Sequence, residues 1–374
     1  MSVKLSESEI RFHLDRFCGE AIQSAEYFSD AIPDFYDVNA GRWFVNGGWT
    51  EGFWPGLLWL LYQYSSDEQL ADFARHWTRL VAKENAEVDD HDLGFLFHSS
   101  CLLEYVTTGN EEMLPAAESA AKRLAARFLP TGQYIPAHGP IDGPDAGFAI
   151  IDTLMNLPLL LWASEHTGID SYREIAVRTA RTIVREHLRP DGSSCQVVLF
   201  DPVSGNLFKR DAVMAVSIES CWARGQAWGI HGLAQLYKQT GIVYFKNYAD
   251  QMIDYLMSRL PNDNVVYHDL DDPQIPNVPK DTSAQAIAVD GLLTLAEAVS
   301  DECGEAYFIA AEKLLSPLLK GFVRQKEQGL CPRGFLTHGC KSLTKGEGVV
   351  SELIFGDYYF VHSLINWLRI SRKY

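Results

Sequence analysis

The stretch GFWPGLLWLLYQYSSDEQLADFARHWTRLVAKENA, residues 52–86, holds two helical segments of opposite character around one polar break. The first, GFWPGLLWLLYQY, is apolar on nearly every face, and a helix apolar all round is a buried helix. The second, ADFARHWTRLVAKENA, places apolar residues at i, i+3, i+4 and i+7 with Lys, Arg and Glu between them. That is the pattern of a helix lying on a surface. YSSDEQL ends one segment and opens the next.

The pair recurs as a theme along the chain. GFLFHSSCLLEYV (94–106), GFAIIDTLMNLPLLLWA (147–163), RGQAWGIHGLAQLY (224–237), SAQAIAVDGLLTLAEAV (283–299) and GDYYFVHSLINWL (356–368) are apolar all round. AAESAAKRLAARF (116–128), YREIAVRTARTIVREHL (172–188), FKNYADQMIDYLMSRL (245–260) and AYFIAAEKLLSPLL (306–319) are amphipathic. Breaks such as TTGNEEML, HTGIDSY and QTGIVYF separate them, with Gly or Ser ending the first helix. Small residues at the starts of the apolar segments (Gly52, Gly94, Gly147, Gly225, Ala284 and Gly356) let backbones crowd together at one end. With a helix over 6–30 closing the ring, the sequence predicts an all-α fold. It is an (α/α)6 barrel, six inner helices walled by six outer ones, as a single domain over 1–374. Short β insertions are expected at SSCQVVLFDPVSGNLFKRD (193–211) and NVVYHDL (264–270), and a long Gly-rich loop at 330–348.

Composition narrows the function classes. Hydrophobic residues make up 47%, enough for a substantial core. No apolar run reaches the 18 residues or so that a membrane span needs. The polar start MSVKLSESEIRFHLDRF lacks the apolar region of a signal peptide, which predicts a cytoplasmic protein. Seven cysteines without paired spacing predict reduced thiols. A formal charge of −17 repels nucleic acid and anionic membranes alike. Oligomeric state leaves no mark on the sequence.

Polar groups at the Gly-started ends of the inner helices are the candidates for chemistry. Asp92 opens HDLGFLF (91–97), where it would serve as a helix cap, although VDDHD supplies more acids than capping requires. Asp152, in GFAIIDTLMNLPLLLW, is expected inside an apolar helix, with Asn156 one turn on and able to hydrogen-bond it. Burying an ionised carboxylate is costly, so Asp152 is expected to have a raised pKa, as a general acid requires. Arg224 and Trp228 share a face of an equally apolar helix. A guanidinium fork and an indole suit a sugar ring bearing a carboxylate, and structural cation–π packing is the alternative. Trp43, Trp49 and Trp54 add aromatic surface at another inner-helix mouth, and Lys341 and Lys345 are further cations on the C-terminal loop. No histidine spacing suits a metal, and no phosphate-binding loop or nucleophile elbow is present.

Taken in order, WTEGFWPGLLWL, HDLGFLF, IIDTLMNLPLLLWA, WARGQAWGIHG, KDTSAQAIAVDGLL and IFGDYYFVHSL resemble the unsaturated glucuronyl hydrolases, glycoside hydrolase family 88, from about residue 40 to 368. The resemblance implies an (α/α)6 barrel that needs neither metal nor organic cofactor. It also implies a substrate that is a lyase-generated oligosaccharide ending in a 4,5-unsaturated uronic acid. It assigns proton donation to Asp152, an assisting role to Asp92, and contacts with the sugar to Trp49, His91, Arg224 and Trp228. Two positions depart from the family: Gln196 stands where a histidine is usual and His138 where a tryptophan is usual, both near the substrate. The sister unsaturated rhamnogalacturonyl hydrolases share fold and reaction, and a non-catalytic saccharide-binding toroid would keep the aromatics without needing Asp152 protonated.

Overall fold

The computed structural model describes residues 5–299, 302–325 and 331–374. Part of the polar break VSDECGEAYF (299–308), which the sequence also marks between two helices, and the first residue of the loop at 330–348 lie outside these, as do residues 1–4. Inner helices run over Phe53–Ser65, Leu93–Thr108 with a π-helical turn at His98–Leu102, Leu157–Thr167, Ala223–Thr240, Thr282–Ala298 and Ile354–Ile370. Each packs on its neighbours, and the last packs on the first, closing a ring. Outside them lie Glu7–Phe28, Glu68–Glu84, Leu114–Ala126, Asp170–His187, Val243–Ser258 and Glu302–Gly321. The described residues therefore form an (α/α)6 barrel.

The breaks work as their residues dictate. Three inner helices end in Thr-Gly, and Gly109, Gly168 and Gly241 take left-handed φ values of 74°, 73° and 70°. Their amides close back onto Tyr105, Ser164 and Tyr237 carbonyls at 2.8, 3.0 and 2.8 Å, the glycine-terminated C-cap. Asp67 opens the next outer helix by accepting from the Gln69 amide. Burial follows the amphipathic reading: every residue from Phe53 to Leu61 and from Thr282 to Ala296 is buried.

Two small sheets sit where the inner helices begin. Val197–Phe200 and Leu207–Asp211 form a hairpin within the insertion expected at 193–211, and Phe148–Ile150, from a stretch expected to be helical, adds to it as a third antiparallel strand. The other is ordered Arg42–Val45, Pro33–Asp37, Glu347–Leu353, Gly339–Ser342 and was not anticipated. It turns part of the expected C-terminal loop into strands. At 264–270 the structure has only isolated bridges, Tyr267 to Lys280 and Trp222 to Asp269, in place of the expected strand.

Candidate active site

Asp92 occupies the N-cap position of Leu93–Phe97, yet its carboxylate does not cap. The Phe95 amide, which an N-cap side chain would normally take, donates instead to Asn156 Oδ1 at 2.9 Å. A Cβ at Gly94 would run into Asn156, so glycine is what lets the two segments approach this closely. With its capping duty transferred, the Asp92 carboxylate turns toward the barrel mouth. Asn156 Nδ2 donates to it at 3.3 Å and to the Asp152 carbonyl at 3.4 Å. The expected bond from Asn156 to the Asp152 carboxylate is therefore replaced by a link from Asp92 to the Asp152 backbone.

Asp152 lies on a single 3₁₀ turn, Ile151–Met155, between the strand Phe148–Ile150 and the helix that starts at Leu157. This corrects the expected mid-helix position. The reason is local: Pro158 sits in the first turn of that helix, where its missing N–H costs nothing, and so marks a beginning rather than an interior. The Ile151 amide donates to the Gln196 carbonyl at 3.1 Å, tying the turn to the sheet.

Electrostatics then separate the site from an ordinary surface. Burial pushes the Asp152 carboxyl up to about 7, with nearby Arg224 opposing the shift. Its Oδ1 is enclosed and without a partner among the described residues. Asp92 is also raised well above the usual carboxylate range, first by desolvation, then by repulsion from Asp90 and Asp152, against the Asn156 bond. Asp152 thus contributes to the raised proton affinity of Asp92, as a like charge nearby does.

Neighbouring groups fix the pair. His91 is buried, with Nδ1 2.7 Å from Thr153 Oγ1 and Nε2 3.2 Å from Asp92 Oδ1. Desolvation lowers its pKa to about 3, so the ring is neutral. Arg127, 1% exposed, holds the Asp89 carboxylate and the Pro136 and Gly139 carbonyls, fastening VDDHD to the loop that carries His138. His138 itself is exposed and lies beside Phe148, ring centroids 4.8 Å apart. Arg127 was not singled out by sequence; Asn156 was, as a partner for the Asp152 carboxylate, whereas the structure places its side chain on Asp92 and on the Phe95 amide.

Three expected sugar contacts meet side chains already occupied. Arg224 donates to Asp281 at 3.0 Å and to the Cys340 and Lys341 carbonyls at 2.6 Å each. Its guanidinium lies between the rings of Trp222 and Phe355. The fork foreseen for a substrate carboxylate thus staples the strand Gly339–Ser342 to the barrel. Trp228 is fully buried against Phe95 and Tyr359, so the expected open indole face is absent in this conformation. Gln196 accepts the Val213 and Met214 amides through Oε1 and braces the loop after Leu207–Asp211. Trp49 is partly exposed at the mouth, over Phe95 and Phe355. Lys341 is paired with Asp34, whereas Lys345 is exposed. Among the described residues no group of His, Cys, Asp and Glu is arranged to hold a metal ion, and no helix is long and apolar enough to cross a membrane.

Residues 24–359 match the sequence model of Glycosyl Hydrolase Family 88. An unsaturated glucuronyl hydrolase of Bacillus sp. (strain GL1) is 35% identical, the match covering 93% of each chain. An unsaturated chondroitin disaccharide hydrolase of Streptococcus agalactiae serotype III (strain NEM316) is 33% identical, over 98% of this chain and 93% of that one. The crystal structure of unsaturated glucuronyl hydrolase from Bacillus sp. GL1 superposes with a TM-score of 0.92 at 32% identity, covering 96% of this chain and 97% of that one.

Proposed function

Since the chain belongs to Glycosyl Hydrolase Family 88, we propose that it is a hydrolase releasing the terminal 4,5-unsaturated uronic acid from oligosaccharides left by polysaccharide lyases. The observation that carries the reading is Asp152, a carboxyl held to about 7 by burial, with one oxygen unpartnered, beside a second carboxyl that is also raised.

Such a group retains a proton near neutral pH and can give it to a carbon. Asp152 protonates C4 of the vinyl ether, and positive charge develops at C5 and the ring oxygen. Asp92, close enough to repel Asp152, assists by stabilising that charge. Water adds at C5, and the proton it loses returns to the carboxylate pair. The resulting hemiketal opens to a C5 ketone, C1 becomes a hemiacetal, and its collapse frees the shortened sugar. Trp49, His91 and His138 line the approach to this pair, while Arg224, Trp228 and Gln196 shape it from behind through the contacts described above. The names of the relatives support unsaturated disaccharides, chondroitin-derived ones included, as substrates.

We treat residues 1–374 as one catalytic unit, a reading supported by an apolar core cluster that runs from Leu5 to Ile370. A cytoplasmic location is supported by the free thiols of Cys18, Cys101, Cys195, Cys221, Cys331 and Cys340. The test is to incubate the protein with a panel of lyase-generated disaccharides and follow the ultraviolet absorbance of the conjugated C4–C5 enoate. Loss of absorbance with release of the reducing sugar is expected. No loss with any member of the panel would reject the activity.

A further inference from the structure

At the opposite end of the barrel, where the inner helices finish, the structure holds a second cavity of about 370 Å³, lined by residues that the reaction does not use. Its inner end reaches His98, less than two turns beyond Asp92, and its rim is far from the carboxylate pair: the inner helix Ala223–Thr240 has 18 residues, Arg224 near its start and the rim residue Lys238 near its end. At 1.5 Å per residue that helix is about 27 Å long. The volume lies within the range of about 300–1,000 Å³ typical of small-molecule pockets.

The lining is mixed in a specific way. Leu102, Leu103, Val106 and Ile365 supply an apolar wall, and Gln63, Gln235 and Asn366 supply amides. On the rim, Lys238 Nζ and Arg369 Nη2 both bond Glu297 Oε2, at 2.6 and 2.8 Å. Two cations thus share one carboxylate, a local positive surplus in a chain of net charge −17. Deeper in, Asp290 is fully buried and accepts from His231 at 2.7 Å, His362 at 2.9 Å and Asn366 at 2.9 Å, so its charge is already matched.

His98 is the group left over. It lines this cavity and the smaller chamber between it and Gly94, and its ring makes no hydrogen bond among the described residues. Desolvation, then the neighbouring His231 and His362, lower its pKa to about 4. The neutral imidazole therefore offers one donor and one acceptor, which suits a sugar hydroxyl. It is also where the inner helix departs from α geometry, for the π-helical turn begins at His98. Such turns concentrate at functional positions because the widened turn re-aims a side chain.

We propose that this rear cavity is a second ligand site, taking a small polyhydroxylated carboxylate of the uronic-acid class. Hydroxyls meet the His98 ring and the amides, the ring carbons meet the apolar wall, and the carboxylate meets Lys238 and Arg369. The proposal does not depend on the reaction assigned to the front of the barrel.

The probe is D-glucuronate, titrated into the full-length protein with histidines labelled at ¹³Cε1. The His98 resonance is assigned by its loss in His98→Gln. A saturable shift of that resonance is expected, with Kd on the order of 1 mM. Lys238→Gln with Arg369→Gln, both exposed and remote from the carboxylate pair, should weaken it about tenfold, as loss of a charge-assisted contact implies. An equal response to glucose would overturn the carboxylate part of the proposal. An equal response to inorganic phosphate would reduce the site to a simple anion site and overturn the sugar class. No saturable shift, or one unchanged in the double variant, would overturn it outright.

Discussion

Asn156 donates its amide to Asp92 while its carbonyl takes the Phe95 N–H, so one side chain both replaces Asp92 as a helix cap and holds it in place. Asn156→Ala should therefore do two separable things. Losing the cap should cost about 1 kcal/mol of stability. Losing the donor removes a contact that opposes the rise in Asp92's pKa, so the Asp92 titration should move further up. Thermal midpoint and the pH dependence of kcat/KM, measured together, check this. A lowered midpoint with an unmoved pH profile would show that Asn156 is a cap alone.

Asp92→Asn should leave stability intact or raise it. Its carboxylate caps nothing, and replacing it relieves repulsion from Asp90 and Asp152. Turnover should nonetheless fall by about 10² or more, as for other acid–base groups. A drop in midpoint of the size expected for a lost cap, with normal kcat, would restore the capping role.

The pH dependence follows from the direction of the Asp152 shift. Its folded-state pKa, about 7, lies above the ordinary carboxylate value, so the folded protein binds this proton more tightly than the unfolded chain does. Stability from this group is fully present at low pH and is lost as pH rises toward 7. Activity needs the same proton, so kcat/KM should fall as pH rises through about 7. Asp152→Asn should consequently raise the thermal midpoint at pH 8 by several degrees and change it little at about pH 3.5, below the ordinary carboxylate value. Calorimetry of both proteins at the two pH values checks the sign.

Arg224 presents a different kind of prediction. Its guanidinium pairs with Asp281, and the two side chains are 2% and 0% exposed. Arg224→Met would leave a buried carboxylate without its cation, at a cost of about 3–5 kcal/mol, and would remove the two bonds from Arg224 to the strand Gly339–Ser342. Arg224→Met combined with Asp281→Asn should recover part of that loss, whereas two independent sites would show additive losses. A stable Arg224→Met protein with only KM raised would instead place the guanidinium on the substrate.

The barrel was legible because alternating all-apolar and amphipathic segments report burial directly, and the Thr-Gly endings mark where helices stop. Asp92 and Asp152 stood out because carboxylates next to apolar helical segments have no bland surroundings to explain them. The turn carrying Asp152 was misread as helix because apolar residues on both sides mask a boundary that Pro158 does mark. The hairpin over Pro33–Val45 stayed hidden because its pairing partner, Glu347–Leu353, is at the other end of the chain. The same holds for Arg224, whose carboxylate partner is Asp281, and for Gln196, whose side chain answers to the amides of Val213 and Met214. Local pattern names the residues that are out of place; only tertiary pairing shows which of them are already satisfied.

The claim that Asp152 delivers the proton to C4 is tested most directly by the rate at which Asp152→Asn bleaches the enoate of a disaccharide cleaved by the wild type. The comparison is made at saturating substrate, on protein whose thermal midpoint shows it folded. An amide cannot donate that proton, so the account predicts a rate lower by about 10² to 10⁴-fold or more. A variant that keeps more than about a tenth of the wild-type rate, well above the loss expected of a proton donor, would contradict it.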